Sequence, residues 1–128
     1  MDFTKYLVRT KFTIGTQVYL TKFLSLTYLQ NTGVSFGMLK GFNWIFIIVS
    51  FIALFFVYKL CMDKSEKKNK LQYYIIIAGI IGNLIDRIFL GYVVDFISVE
   101  YFSVFNIADS CISIGVFWLI IKHINKKT

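Results

Sequence analysis

FNWIFIIVSFIALFFVYKL, residues 42–60, carries one charged residue, Lys59, and that only at its end. A helix needs roughly 20 residues to cross a hydrocarbon core about 30 Å thick. This run has that length and lacks the polar face of a soluble surface helix. The solvent it implies is a bilayer. The whole chain agrees: of 128 residues, 57% are hydrophobic, 19% aromatic and 16% charged, more apolar than an ordinary soluble domain. Two further runs follow. QYYIIIAGIIGNLIDRIFL (72–90) is as long but carries Asn83, Asp86 and Arg87 near its end. IADSCISIGVFWLIIKHI (107–124) is apolar from Cys111 to Ile121. One membrane-embedded domain, 1–128, is predicted, with spans at about 42–60, 72–90 and 107–124.

The net charge of +7 could suggest nucleic acid, but its distribution argues against that partner. Lys64, Lys67, Lys68 and Lys70 crowd the loop CMDKSEKKNK (61–70), and Lys122, Lys126 and Lys127 crowd the C-terminus. The segment 91–107 has neither Lys nor Arg. Basic residues collect on the cytoplasmic side of membrane proteins. Loop 61–70 and the C-terminus are therefore expected in the cytoplasm, where the loop would also suit anionic lipid, and 91–107 outside. Cys61 and Cys111 have no metal or redox spacing and read as free thiols in apolar surroundings. The single His123 cannot supply a metal-ligand set.

With 42–60 running inward, residues 1–41 emerge outside. The alternations TQVYL and LSLTYL read as strands, and NTG (31–33) as a turn. A small outer β-element is expected over about 12–37, able to close over a site as a lid, after a partial first helix at 1–11. MDFTKYLV is too short to span. Either the N-terminus is translocated without a span or the protein starts upstream of Met1. The second is favoured, so the first helix is expected to be truncated in this chain.

Asp86, Asp95 and Asp109 fall within 24 residues, in the stretches GNLIDR (82–87), GYVVDFISV (91–99) and FNIADS (105–110). Antiparallel spans bring Asp86 and Asp109 to one depth near the outer interface, with Asp95 in the connection between them. Two of the three have a structural reading. Asp86 and Arg87 could anchor a helix end. Asn106 and Asp109 are spaced as a capping box. Asp95 has no cap or turn role. A carboxylate at mid-membrane costs about 2.5–3.5 kcal/mol on insertion scales, so three near the interface suggest a need for ionisable oxygen. Two held close cannot both ionise easily, and one then keeps a proton. That is the chemistry of an aspartic protease.

NTGVSFG (31–37), GNLIDRIFLGYVVDFI (82–97) and FNIADS together resemble the lipoprotein signal peptidase family, signal peptidase II, in order, spacing and placement against the spans. The likeness runs from about Lys5 to about Lys122. It implies a four-helix transmembrane bundle with a small extracytoplasmic β-sheet cradle, in the bacterial cytoplasmic (inner) membrane. Both termini would be cytoplasmic, with the active site near the outer face. It implies an aspartic endopeptidase that removes the signal peptide from prolipoproteins, cutting before a diacylglyceryl-modified cysteine. By motif match the catalytic pair is Asp95 and Asp109. Asn31, Asn83, Asp86, Arg87 and Asn106 would support them, holding the aspartates or the substrate backbone. No cofactor is implied, and globomycin-type inhibitors would block the site. The family usually sets an aspartate four residues before the lysine of its first helix. Here Asp2 stands three before Lys5, without an apolar lead-in. The rival reading is a small transporter or proton-conducting protein with cation-binding carboxylates. It explains Asp95, in an outer connection, less well, and it needs an acidic or polar path towards the cytoplasmic half, where 42–60 and 111–121 show none.

Overall fold

The computed structural model describes residues 2–33 and 40–127. In chain order these form α1 (Phe3–Lys11), β1 (Gln17–Tyr19), β2 (Leu24–Asn31), α2 (Asn43–Met62), a 3-10 turn (Lys64–Asn69) and α3 (Lys70–Phe89). β3 (Val93–Val99), β4 (Val104–Phe105) and α4 (Ile107–Lys127) complete the fold. Residues 34–37 of the NTGVSFG stretch, and that part of the expected β-element, lie outside the described residues.

Among the described residues, three helices are long and apolar enough to cross a membrane, and the chain is a multi-pass membrane protein. Only 6% of the apolar window of α2 is buried inside the protein, against 44% of that ending in α3. α2 therefore shows most of its surface to lipid. Its buried-facing polar need is small: Ser50 returns its hydroxyl to the Phe46 carbonyl at 2.7 Å, as a helical serine does when no water is near.

α3 is the central helix, packed against both α2 and α4. The contact with α4 is close because it is lined by glycine. A Cβ added at Gly79 would come within 2.5 Å of the Ala108 carbonyl oxygen, and one at Gly115 within 2.5 Å of the Ile76 side chain. Small residues allow such approach in membranes, where dispersion rather than water drives association. The approach sets the register of the two helices that carry Asn83 and Asp109.

The strands form one antiparallel sheet in the order β1-β2-β3-β4. β2 pairs with β3 from Leu24↔Val99 to Asn31↔Val93, with a register irregularity between Leu26 and Leu29. Successive side chains of a strand point to opposite faces. Val94 and Phe96 pack with Val8 of α1 and Tyr28 in a small core. Val93 and Asp95 face the other way, and all four residues are buried. Burial on both faces accounts for the continuous apolar reading of GYVVDF.

Candidate active site

The end of α3, strand β3 and the start of α4 meet below β2. Asn106 caps α4: its Oδ1 accepts from the Asp109 backbone N at 2.9 Å, and Asp109 Oδ2 accepts from the Asn106 backbone N at 3.2 Å. This is the reciprocal capping box. It leaves the Asn106 amide nitrogen free to turn the other way, and it donates to Asp95 Oδ1 at 3.0 Å, Asn83 Oδ1 at 3.0 Å and the Val94 carbonyl at 3.2 Å. The structural reading of Asp109 and a functional one are therefore compatible, because one asparagine serves both.

Two more asparagines complete the setting. Asn83, on α3, donates from Nδ2 to Asp109 Oδ1 at 2.8 Å. Asn31 closes β2 and donates to Asp95 Oδ2 at 3.0 Å. Asn31 is opposite Val93 and Leu29 opposite Asp95, so Asn31 and Asp95 are diagonal neighbours on one sheet face. The Asn31 side-chain Oδ1 accepts from the Gly33 N–H at 2.8 Å, which fixes the amide with its NH₂ towards the carboxylate. Every oxygen of Asp95 and Asp109 thus accepts a hydrogen bond from an asparagine.

Burial and electrostatics act unequally on the pair. Asp95 is 2% exposed. Burial first, and the charge of Asp109 second, push its carboxyl up from the ordinary 3.8 to about 7. The hydrogen bonds from Asn31 and Asn106 and the charge of Lys5 oppose that rise. Near neutral pH a proton therefore resides on Asp95 for much of the time, beside a second carboxylate.

Asp86 does not share this space. Its Oδ2 accepts from Lys5 Nζ at 2.9 Å and from the Val94 backbone N at 3.2 Å. Its Oδ1 has no hydrogen-bond partner among the described residues. Both side chains of the ion pair are fully buried. Lys5 also reaches the Gly82 carbonyl and Asn83 Oδ1, each at 3.4 Å. With its oxygen held by Lys5 and Asn106, Asn83 must present NH₂ to Asp109. Asp86 meanwhile pins the backbone next to Asp95.

Arg87, expected beside Asp86, turns instead towards α2. It donates to Asn43 Oδ1 at 3.0 Å and the Gly33 carbonyl at 2.9 Å, and lies over the Phe46 ring at 5.1 Å. Asn43 returns a bond to the Arg87 carbonyl at 3.1 Å. Arg87 therefore ties the turn after Asn31 to the start of α2. The sequence reading placed neither Lys5 nor Asn43 in the site. Asn43 had one signal, an amide opening an otherwise apolar run. Among the described residues, no three of His, Cys, Asp and Glu gather as metal ligands would.

The chain matches the signal peptidase (SPase) II family over residues 2–125. It belongs to the signal peptidase II family. A protein named lipoprotein signal peptidase from Thermodesulfovibrio yellowstonii is 40% identical, over 96% of this chain and 86% of that one. Another of that name, from Bartonella henselae, is 38% identical over 94% and 78%. A solved structure described as a bacterial membrane enzyme superposes with a TM-score of 0.89 at 32% identity, over 98% of this chain and 80% of that one. The family is one of peptidases, and the transporter reading is not favoured. Within a signal peptidase II frame, the asparagine-held aspartates occupy the place where the three helical and strand elements of the site converge.

Proposed function

We propose that the chain is an aspartic endopeptidase whose catalytic pair is Asp95 and Asp109, acting on prolipoproteins whose cysteine already carries a diacylglyceryl group. The observation that carries this reading is Asn106, which hydrogen-bonds both carboxylates, 3.0 Å to Asp95 and 3.2 Å to Asp109. A purely structural cap would have no reason to engage Asp95.

The substrate's signal helix enters sideways from the lipid, with its cysteine at the outer interface of the cytoplasmic membrane. A water between the two carboxylates faces the scissile carbonyl. The ionised carboxyl takes the water's proton as its oxygen attacks the carbonyl carbon. The protonated carboxyl hydrogen-bonds the forming oxyanion. The proton held by the first carboxyl then passes to the leaving amide nitrogen as the C–N bond breaks. Asn31, Asn83 and Asn106 hold the carboxylates in place, and Asp86 and Arg87 hold the elements that bear them. In this reading the C-terminus is cytoplasmic, and a globomycin-type inhibitor competes with the substrate.

The test is cleavage in detergent of one prolipoprotein with and without its diacylglyceryl group, by the wild type, Asp95→Asn and Asp109→Asn. Lipid-dependent cutting before the cysteine, lost in both variants, is expected. Cutting that survives either substitution in folded protein removes that aspartate from the mechanism.

A further inference from the structure

At the opposite end of the bundle a cleft of about 900 Å³ opens between the 3-10 turn and the last turns of α4. Lys64, Lys67 and Lys68 line it from the turn, and Lys122 and His123 from the helix. Lys122 donates to the Lys68 carbonyl at 3.1 Å, latching the turn to α4 and giving the cleft a fixed width. Four lysines face one carboxylate there, Glu66, whose Oε2 is already engaged by Asn69 at 2.6 Å and the Tyr73 hydroxyl at 3.1 Å.

The second wall is apolar. Leu119, Ile120 and Ile124 form it, and Ile120 and Ile124 are 50% and 55% exposed. α2 ends at Met62, α3 starts at Lys70 and α4 ends at Lys127. The cleft therefore sits where spanning helices leave the hydrocarbon, at the depth of lipid headgroups. Basic pockets at that depth attract anionic lipid, each lysine adding to the pull.

We propose that this cleft binds an anionic phospholipid, its phosphate among the lysines and an acyl chain along Ile124, Ile120 and Leu119. A free phosphate would use the lysines and leave the apolar wall bare, whereas a phospholipid uses both. The site is remote from Asp95 and Asp109 and stands whether or not they are catalytic.

Trp118 lies one helical turn before Lys122, and Trp44→Phe leaves it the sole tryptophan. This variant is reconstituted into phosphatidylcholine vesicles with an equal fraction of brominated phosphatidylglycerol or brominated phosphatidylcholine. Trp118 is expected to be quenched preferentially by phosphatidylglycerol. Adding Lys64→Gln, Lys67→Gln and Lys68→Gln should weaken that preference by about fivefold or more. Lys11→Gln with Lys22→Gln, which lowers net charge elsewhere, should preserve it. If the triple variant does not melt cooperatively, Lys67→Gln with Lys68→Gln carries the test. Equal quenching by the two lipids, or a preference unchanged by the cleft substitutions, overturns the proposal. So does loss of the preference on adding millimolar inorganic phosphate, which would make the ligand a free anion.

Discussion

At one end of the three long helices, Lys5, Asp86, Asp95 and Asn106 are 0–2% exposed, and each is bound to another residue of the network. At the other end Lys64, Lys67 and Lys68 stand exposed on a short turn. The same kinds of charge are thus treated in opposite ways. At the first end the protein replaces water as the solvent of the charge, so removing one partner strands another. At the second, water and lipid headgroups remain the solvent, and a lost charge strands nothing. Substitutions at the two ends should therefore differ in size and in reach.

The largest effect is expected at the dyad. Asp109→Asn and Asp95→Asn should each lower the cleavage rate by at least about 10²–10⁴-fold, the scale of general acid–base catalysis, measured as initial rates on lipidated substrate. Stability should move the other way for Asp95. Its carboxyl titrates near 7 in the folded chain against 3.8 ordinarily. The native state therefore holds more protons than the unfolded one between these values, and stability falls as pH rises through that window. Asp95→Asn should remove this fall, and Tm at pH values above 7 should exceed that of the wild type. An Asn variant that melts lower than wild type there would break the contrast between activity and stability.

Next in size is Lys5→Met. It leaves Asp86 buried without its cation, a loss of about 3–5 kcal/mol, visible in thermal melting. Asp86→Asn added to it should recover part of that loss. A Lys5→Met protein as stable as wild type would show that the buried pair does not hold this end together.

Asn31→Ala should act more locally. A hydrogen bond to a charged group contributes roughly 1.5–3 kcal/mol, so kcat/KM should drop about 10- to 100-fold with the fold retained. The smallest effect belongs to the other end. Lys64→Gln, Lys67→Gln and Lys68→Gln together should leave cleavage in neutral lipid unchanged, and stability within about 0.5 kcal/mol per site, as exposed substitutions usually do. A large loss of stability there would erase the distinction between the ends.

Those parts of this arrangement that depend on local pattern were legible in the sequence. The apolar runs announce three long helices because length and absence of charge are properties of a single segment. The alternation in LSLTYL announces a strand for the same reason. Topology then brings Asp86 and Asp109 to one end. The division of labour among the aspartates was not legible from residues alone. Asp86 is separated from Asp95 by its pairing with Lys5, 81 positions earlier in the chain, and nothing in TKYLV announces that lysine's partner. The capping box at Asn106 was visible, but its second role was not, because donation to Asp95 requires β3 to lie beside the start of α4. The partners of Arg87 were not legible for the same reason: Asn43 and Gly33 lie 44 and 54 positions from it in the chain.

The most direct measurement is kcat/KM against pH on a diacylglyceryl-modified prolipoprotein. If Asp95 and Asp109 share one catalytic proton, kcat/KM falls about tenfold per pH unit above about 7, as the free enzyme loses it. A kcat/KM that stays level or rises across the two pH units above 7, in protein that remains folded, would contradict the shared proton.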